Sequence, residues 1–508
     1  MPAQPPVINV TFQDGALGQQ PASSASVQIK FGSCSVTTTP QIIPITSSTD
    51  ALNYLGNGPL ASACAYTVNN TGGQVFAVPC AASIAGTNGT VTGTSSPALA
   101  AGGTPKDAWQ VSVKIVAGGG TSNTTALYQV SLDNGNTWSQ TATCVATAIT
   151  LYEPITGLST GVTITFATGT YAAGQQWYFA TTAPCPSGSD FTAAWNVAIA
   201  DPRTWGLAHF VGADITGASD AANCTTSNTL AGIIDGLVQA AAAAKRYVQV
   251  IVEAPDQKAS LASSGVTDLT NNMQTTTLDT ALFAAYASRA SANGRLHIAT
   301  GYADIADPMT GLVRRRSAAW PIVTRLGQGS VADDPGCPGN GSLPGVVRLW
   351  RDERNQPGAD AARLMSLRTW QSYAGFFATS GIALASPGSD YSYIANARVL
   401  DVFATALYMA AVPFVNQRLR CNANGTLFET DARVVESVIG NAGYNAVIQA
   451  GYASPPTPTT PLATVSRTVN FLSTGQLLVT GRATALGYAR DIELYVGFNR
   501  ASLIAATQ

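Results

Sequence analysis

The chain has 508 residues, and charged side chains make up only 11% of it, against roughly 25% in an ordinary globular protein. A formal net charge of −2 excludes a general attraction to nucleic acid or anionic membranes, and a surface so poor in charge suits one that lies largely against other subunits. That length has room for two to four domains with real cores.

Charge is unevenly spread. No arginine precedes Arg203, and Lys30, Lys106 and Lys114 carry the positive charge before it. From Arg314 onward there are seventeen arginines, no lysine and twelve acids, so that part is basic and the rest acidic, as for surfaces facing different partners. The opening MPAQPPVINV lacks the charged and apolar regions of a secretory signal. No run reaches the roughly 20 apolar residues of a membrane span, and the most apolar one, Val402 to Val415, reads as a buried helix. Eight cysteines lie far apart without a C-x-x-C pair, which points to scattered reduced thiols rather than zinc.

In chain order, Val7 to Phe12 is a β-type run followed by a Gly/Pro/Ser-rich segment, so it has no hairpin partner nearby and must pair at a distance or with another chain. A second strand is predicted in SVQIKFGSCS (26–35). SSTDALNYLG supplies a helix N-cap and a short helix, and ACAYTVNNTGGQVFAVPC a helix or strand, a Gly turn and an apolar strand. From about Gly86 to Pro186, alternating runs broken by Gly/Asn turns predict an antiparallel β domain. Beyond Ser187 the period changes: helices over 229–247 and 278–294 alternate with apolar strands at 248–255 and from Arg295, which predicts an α/β layer with a partly parallel sheet. Residues 321–360 are loop-rich. Helices are predicted near 361–379, 395–418 and 429–450, then three closing strands, TVSRTVNFL, QLLVTGRAT and RDIELYVGF.

The stretch SLDNGNTWS (131–139) looks like the Asp-box of sialidases and related β-propeller proteins. Such a box braces a turn: the carboxylate of Asp133 takes local backbone N–H groups, Asn134-Gly135 makes the bend, and Trp138 packs beneath it. There is one box, in a segment without arginine, so a structural hairpin is the reading. His209 and His297 sit among apolar neighbours and read as satisfied imidazoles inside the fold. Asp333-Asp334 and Asp352-Glu353 lie in loops among arginines and read as solvated or interfacial ion pairs. Arg314-Arg315-Arg316 is too short, and too close to acids, for a nucleic-acid patch, and reads as a loop anchor or intersubunit contact. No nucleophile, P-loop or zincin pattern is present, so no catalytic, cofactor-binding or metal residue is assigned.

The ends of the chain carry a resemblance. VINVTFQDGALGQQPASSASVQIKFGSCS with ITSSTDALNYLGNGPLASACAYTVNNTGGQVFAVPC resembles the opening of contractile phage tail sheath proteins: strand, Gly turn, second strand, short Ser-Asp helix, N-G-G turn, apolar strand. GTLFETDARVVESVIGNAGYNAVIQAGYASP, with the closing TVNFLSTGQLLVTGRATALGYARDIELYVGFN, is similar to the sheath C-terminal domain. The resemblance covers about half the chain.

It implies an α/β and α+β multidomain fold: a strand arm and linker at 1–25, a core built from both chain ends (26–85 and 346–508), an outward-facing β insertion at 86–186, and an α/β middle domain at 187–345. It implies sixfold rings stacked around a tail tube protein, contacts with baseplate and tail terminator proteins, and no enzyme activity, nucleic acid or membrane insertion. The place is a virion tail assembled in the host cytoplasm. Intersubunit arms would be Val7, Ile8, Asn9, Val10, Thr11 and Phe12 at one end and Ile492, Leu494, Val496 and Phe498 at the other, with Arg418, Arg420 and Arg433 facing the tube. Two alternatives remain open: a glycan-binding or glycan-cleaving protein built on the Asp-box domain, and the sheath of a bacterial contractile injection system.

Overall fold

The run SVQIKFG forms strand β1 (Gln28–Gly32), whose five residues are all buried because the strand lies inside a sheet. The computed structural model describes residues 24–120, 125–212, 230–254, 294–385, 388–457 and 459–495. It is a mixed α/β, multidomain structure with several sheets, and it separates into two units, Met1–Thr405 and Ala406–Gln508.

In the first unit, β2 (Ile43–Ile45) precedes α1 (Ser48–Leu55) and α2 (Pro59–Thr71). Ser47 caps α1 by accepting the Asp50 N–H, as the Ser-x-x-Asp spacing predicts. Gly72 ends α2 in the left-handed region at φ 64°, and β3 (Val75–Pro79) follows. After a long excursion the chain returns through α3 (Gly188–Ala200), β14 (Leu207–Phe210), α4 (Leu230–Ala243), β15 (Gln249–Glu253) and β16 (Leu296–Ala299). The six strands form one sheet in the order β16-β15-β14-β1-β3-β2, parallel except for β2.

Segments read separately from sequence, 26–85 and 187–345, thus contribute to a single sheet. Parallel neighbours need a crossover, and a crossover leaves room for an inserted domain between consecutive strands. On one face Phe31, Phe210, Val250 and Val252 pack against Phe191 and Trp195 of α3 and Ile234 and Val238 of α4. On the other, Leu207 and Ile251 meet Trp320, Ile322 and Val323 of α5 (Ala319–Gln328).

The excursion holds β4 (Thr92–Gly93), β5 (Leu99–Gly103), β6 (Gln110–Ala117), β7 (Gly119–Gly120), β8 (Leu127–Ser131), β9 (Ala142–Thr143), β10 (Ile149–Tyr152), β11 (Ser159–Phe166), β12 (Thr170–Tyr171) and β13 (Gln176–Ala180). They make sheets β4-β13-β6-β8-β9, β10-β11-β5 and β12-β7, in which every strand pair is antiparallel. Burial alternates residue by residue along β11, as expected of a strand with one face inward. Trp109, Val113, Tyr128, Ile164, Phe166 and Trp177 share the core.

An antiparallel sheet β18-β17-β19 follows, from β17 (Tyr302–Ala306), β18 (Val313–Ser317) and β19 (Val346–Leu349). Where a helix was predicted over 361–379, the structure has a hairpin, β20 (Leu367–Trp370) and β21 (Tyr373–Ala378). The stretch LRTWQSYAGFFA is rich in aromatic residues, which favour strands, and Ser372 turns the chain at φ 59°.

Helix α6 (Ile394–Ala411) gives way to a 3-10 turn at Val412–Phe414, because Pro413 has no N–H to continue it. In the second unit α7 (Glu429–Gly443) runs into a π turn at Tyr444–Ile448. The predicted closing strands are shorter than expected. β22 (Ala453–Ser454) pairs with β25 (Thr484–Ala485), and β23 (Ala463–Val465) with β24 (Val479–Gly481). Residues 490–495 are in no strand. The predicted strand arm Val7, Ile8, Asn9, Val10, Thr11 and Phe12, the helix over 278–294, Val496 and Phe498 lie outside the described residues.

Candidate assembly surfaces

Strand β18 sends Arg314 and Arg316 inward. Arg314 donates to Asp107 Oδ2 at 2.8 Å, to Asp307 Oδ2 at 2.6 Å and to Ser62 Oγ at 2.8 Å. Arg316 grips both oxygens of Asp107, at 2.8 and 2.7 Å. All three charged groups of the Asp107 bridge are buried, and the cluster ties α2, the loop before β6 and strand β18 together. Arg315 points the other way and lies over Trp350. The acids read as solvated pairs are placed differently. Asp352 and Glu353 are buried, Asp352 taking the Thr369 N–H and hydroxyl and Glu353 pairing with Arg351. Asp334 accepts the N–H groups of Gly336 and Gly381. They fasten loops, because the β20-β21 hairpin covers the first pair.

The same sheet face that meets α5 carries polar groups. Lys30 Nζ lies 3.1 Å from His209 Nδ1, whose Nε2 lies 3.0 Å from Glu253 Oε1. Trp320 donates to that same oxygen at 2.8 Å. His297 Nε2 lies 2.8 Å from Gln249 Oε1. Both imidazoles are fully buried. Burial pushes the Lys30 amine down to about 8 and, with the Lys30 charge, the His209 imidazole down to about 4.

The Asp-box closes the loop between β8 and β9. Ser131 Oγ accepts from the Gly135 N–H at 2.7 Å and donates to Asp133 Oδ1 at 2.7 Å. Asp133 also takes the Thr137 N–H and hydroxyl, each at 2.8 Å. Asn134 and Gly135 both have positive φ, 61° and 89°, and the Lys114 ammonium sits 3.9 Å from the Trp138 ring centre. Asp133 is 0% exposed, so its carboxylate serves the turn and has no path to an outside substrate. Asp133→Ala leaves these donors unpaired and is expected to cost about 2 kcal/mol, read as a shifted urea midpoint of the whole chain.

The second unit has the more apolar surface. Thirteen of the twenty-three exposed large hydrophobic residues among those described lie beyond residue 405, including Tyr408, Met409, Val412 and Val415 at the end of α6. That half of the helix is therefore open, where a buried helix was predicted. Residues Ile394–Phe414 are long and apolar enough to cross a membrane by length and composition. However, Arg398 and Asp401 are buried within the first unit, Arg398 donating to Ser26 Oγ and Asp401 accepting from Arg295 and Gln249, and this anchors that half in protein.

Of the three arginines assigned to a tube, Arg420 is paired with Asp431 and Arg433 with Glu429. Arg418 is exposed and has no ion-pair partner among the described residues. Ile492 and Leu494 are 70% and 81% exposed. Among the described residues no three His, Cys, Asp or Glu side chains are grouped to hold a metal.

The architecture is that of a mixed α/β, multidomain protein with several sheets. The chain belongs to the DUF2586 family, whose N-terminal domain model matches residues 6–381. No curated protein sequence matches it. Among solved structures it is similar to the sheath tail protein of Desulfitobacterium hafniense, at 12% identity over 94% of this chain and 100% of that one, TM-score 0.45. It is similar to a chain of the anti-feeding prophage baseplate at 12% identity over 97% and 99%, TM-score 0.49. It is also similar to the sheath tail protein Lin1278 of Listeria innocua at 10% identity over 93% and 98%, TM-score 0.46.

Proposed function

We propose that the chain is a non-enzymatic, structural subunit of a contractile tail sheath. Copies polymerise as stacked sixfold rings around a tail tube, bounded by baseplate and terminator proteins, and shorten to drive the tube through a host envelope. The mechanism is the same for a phage virion tail and for a bacterial injection device. The observation that carries the reading is the two-stranded sheet β23-β24, which has no third strand among the described residues. It stands in the unit that carries thirteen of the twenty-three exposed large hydrophobic residues among those described, and such a sheet can be completed by an extended segment from elsewhere.

The arms at Val7–Phe12 and Ile492–Phe498 are the candidates, and the Gly/Pro/Ser-rich residues 13–25 give the first of them reach. A core from both chain ends would lie innermost, with the 86–186 insertion outward. Of the tube-facing candidates Arg418, Arg420 and Arg433, Arg418 is the one with charge to spare.

Deleting residues 1–14 tests the reading: the purified chain should stay folded and lose the ability to form tubes in the electron microscope. Normal tubes from the shortened chain would defeat the shared-strand claim. Arg418→Glu should weaken assembly on tail tubes and leave tube-free polymers intact.

A further inference from the structure

We infer that the 86–186 insertion is a fixed part of the first unit and not a detachable decoration. It supplies the buried counter-charge of two arginines on β18 and takes in a leucine from the turn before them, so the insertion and the parallel sheet hold or fail together. The inference uses contacts within one chain and stands apart from the assembly reading.

By its connections alone the insertion looks detachable. Ile84 N–H donates to Cys185 O at 3.1 Å and Cys185 N–H to Ile84 O at 2.8 Å. The chain therefore leaves the core and returns to it at one point, as it does around an inserted domain. The insertion also has a hydrophobic cluster of its own, with Trp109, Phe166 and Trp177 in it.

The contacts away from that point say otherwise. Asp107 is placed by the insertion's own frame. Its carbonyl accepts the Thr181 hydroxyl at 2.9 Å, the Thr181 oxygen accepts the Trp109 N–H at 2.9 Å, and its carboxylate accepts the Ala108 N–H at 2.7 Å. Its charge serves β18. Arg314 has a second carboxylate in Asp307, whereas Arg316 has no other ion-pair partner among the described residues. The two guanidinium groups lie in the seam itself, Arg314 over Trp109 of the insertion at 4.4 Å and Arg316 over Trp320 of α5 at 4.8 Å.

Two further contacts close the seam. Leu312, in the turn between β17 and β18, is 4% exposed because it packs inside the insertion's cluster. Asn57, between α1 and α2, donates to Ser159 O at the start of β11 at 3.1 Å. Three separate stretches of the core thus grip the insertion. A pull on it is delivered to α2 and β18, and not to a hinge at residues 84 and 185.

Unpaired guanidinium groups would draw water into this seam, whereas apolar side chains in their place would let it close again. Hydrogen exchange of the 508-residue chain across a urea series, followed by mass spectrometry, reads each segment separately. Residues 28–32 and 207–210 of the parallel sheet should lose protection at the same midpoint as 159–166 of the insertion. Trp177→Ala opens a cavity in the insertion only, yet it should lower all three midpoints equally, by roughly 1 M. Phe166→Leu gives the same comparison with a smaller cavity should Trp177→Ala not fold.

Asp107→Ala should split the transition, with 159–166 exchanging first. Replacing Asp107, Arg314 and Arg316 with Leu, Met and Met should restore a single midpoint. A shift confined to 159–166 in Trp177→Ala and in Phe166→Leu, or two midpoints in the unaltered chain, would overturn the inference. A single transition in Asp107→Ala would overturn the part given to the buried charges.

Discussion

Asp107→Ala should destabilise the first unit by about 3–5 kcal/mol, the usual consequence of removing one partner from a buried ion pair. Two guanidinium groups, Arg314 and Arg316, end on this one carboxylate, and both are buried with it. Alanine leaves two buried cations with the single acid Asp307, in a chain whose whole stability is of order 5–15 kcal/mol. The loss should appear as a large drop in melting temperature by circular dichroism. Replacing Asp107, Arg314 and Arg316 together with Leu, Met and Met should recover most of it, since the cost lies in the unpaired charge.

The pH dependence follows from the same contacts. Burial raises the Asp107 carboxyl, but Arg316 and Arg314 outweigh burial and hold it at about 2. Because its folded value is depressed, its contribution is complete above about pH 4 and is lost as pH falls toward 2.

Acid should weaken the chain earlier than that, through its two histidines. Burial, with the neighbouring Lys30 charge, holds His209 at about 4, although Glu253 opposes the shift. Burial first, and Arg295 after it, hold His297 at about 3. In the unfolded chain both take up a proton near pH 6.5. The unfolded state therefore binds more protons between pH 6.5 and 4, and stability falls as pH falls through that window, by on the order of 3–5 kcal/mol for each histidine. The geometry gives the reason: a proton on His209 Nδ1 would face the Lys30 ammonium 3.1 Å away. Asp401, pushed up to about 6 by burial against the pull of Arg295, works in the opposite sense between pH 4 and 6 and offsets part of the loss. Urea midpoints at pH 7.5, 6, 5 and 4 should decline steadily, and the slope should flatten in the His209→Gln, His297→Gln double variant. A flat midpoint from pH 7.5 to 5 in the unaltered chain would contradict this.

Local features were legible in the sequence. Ser47 announced its helix and caps it as expected, whereas α3 was not predicted, although Ser187 and Asp190 form a reciprocal box at its start. Period-two alternation marked the strands of 86–186, and continuous apolar runs marked the parallel ones.

What escaped was set at long range. The partner of Arg314 and Arg316 is Asp107, some two hundred residues earlier, and no spacing rule connects them. Lys30 in QIKFG was a visible signal, a lysine within an apolar strand, but its partners His209 and Glu253 come from strands that only the sheet order brings together. The hairpin at 367–378 was hidden because its apolar residues also satisfy a helical spacing. Glu436 and Arg467 read as ordinary surface charges, yet Glu436 takes the Val465 N–H and Arg467 the Val465 carbonyl, pairings that no sequence spacing announces.

Negative-stain electron microscopy of the purified 508-residue chain, over a range of concentrations, decides whether it polymerises as a sheath. Long, striated tubes of uniform diameter that grow with concentration are expected. Discrete particles of single-chain size at every concentration would contradict the sheath reading.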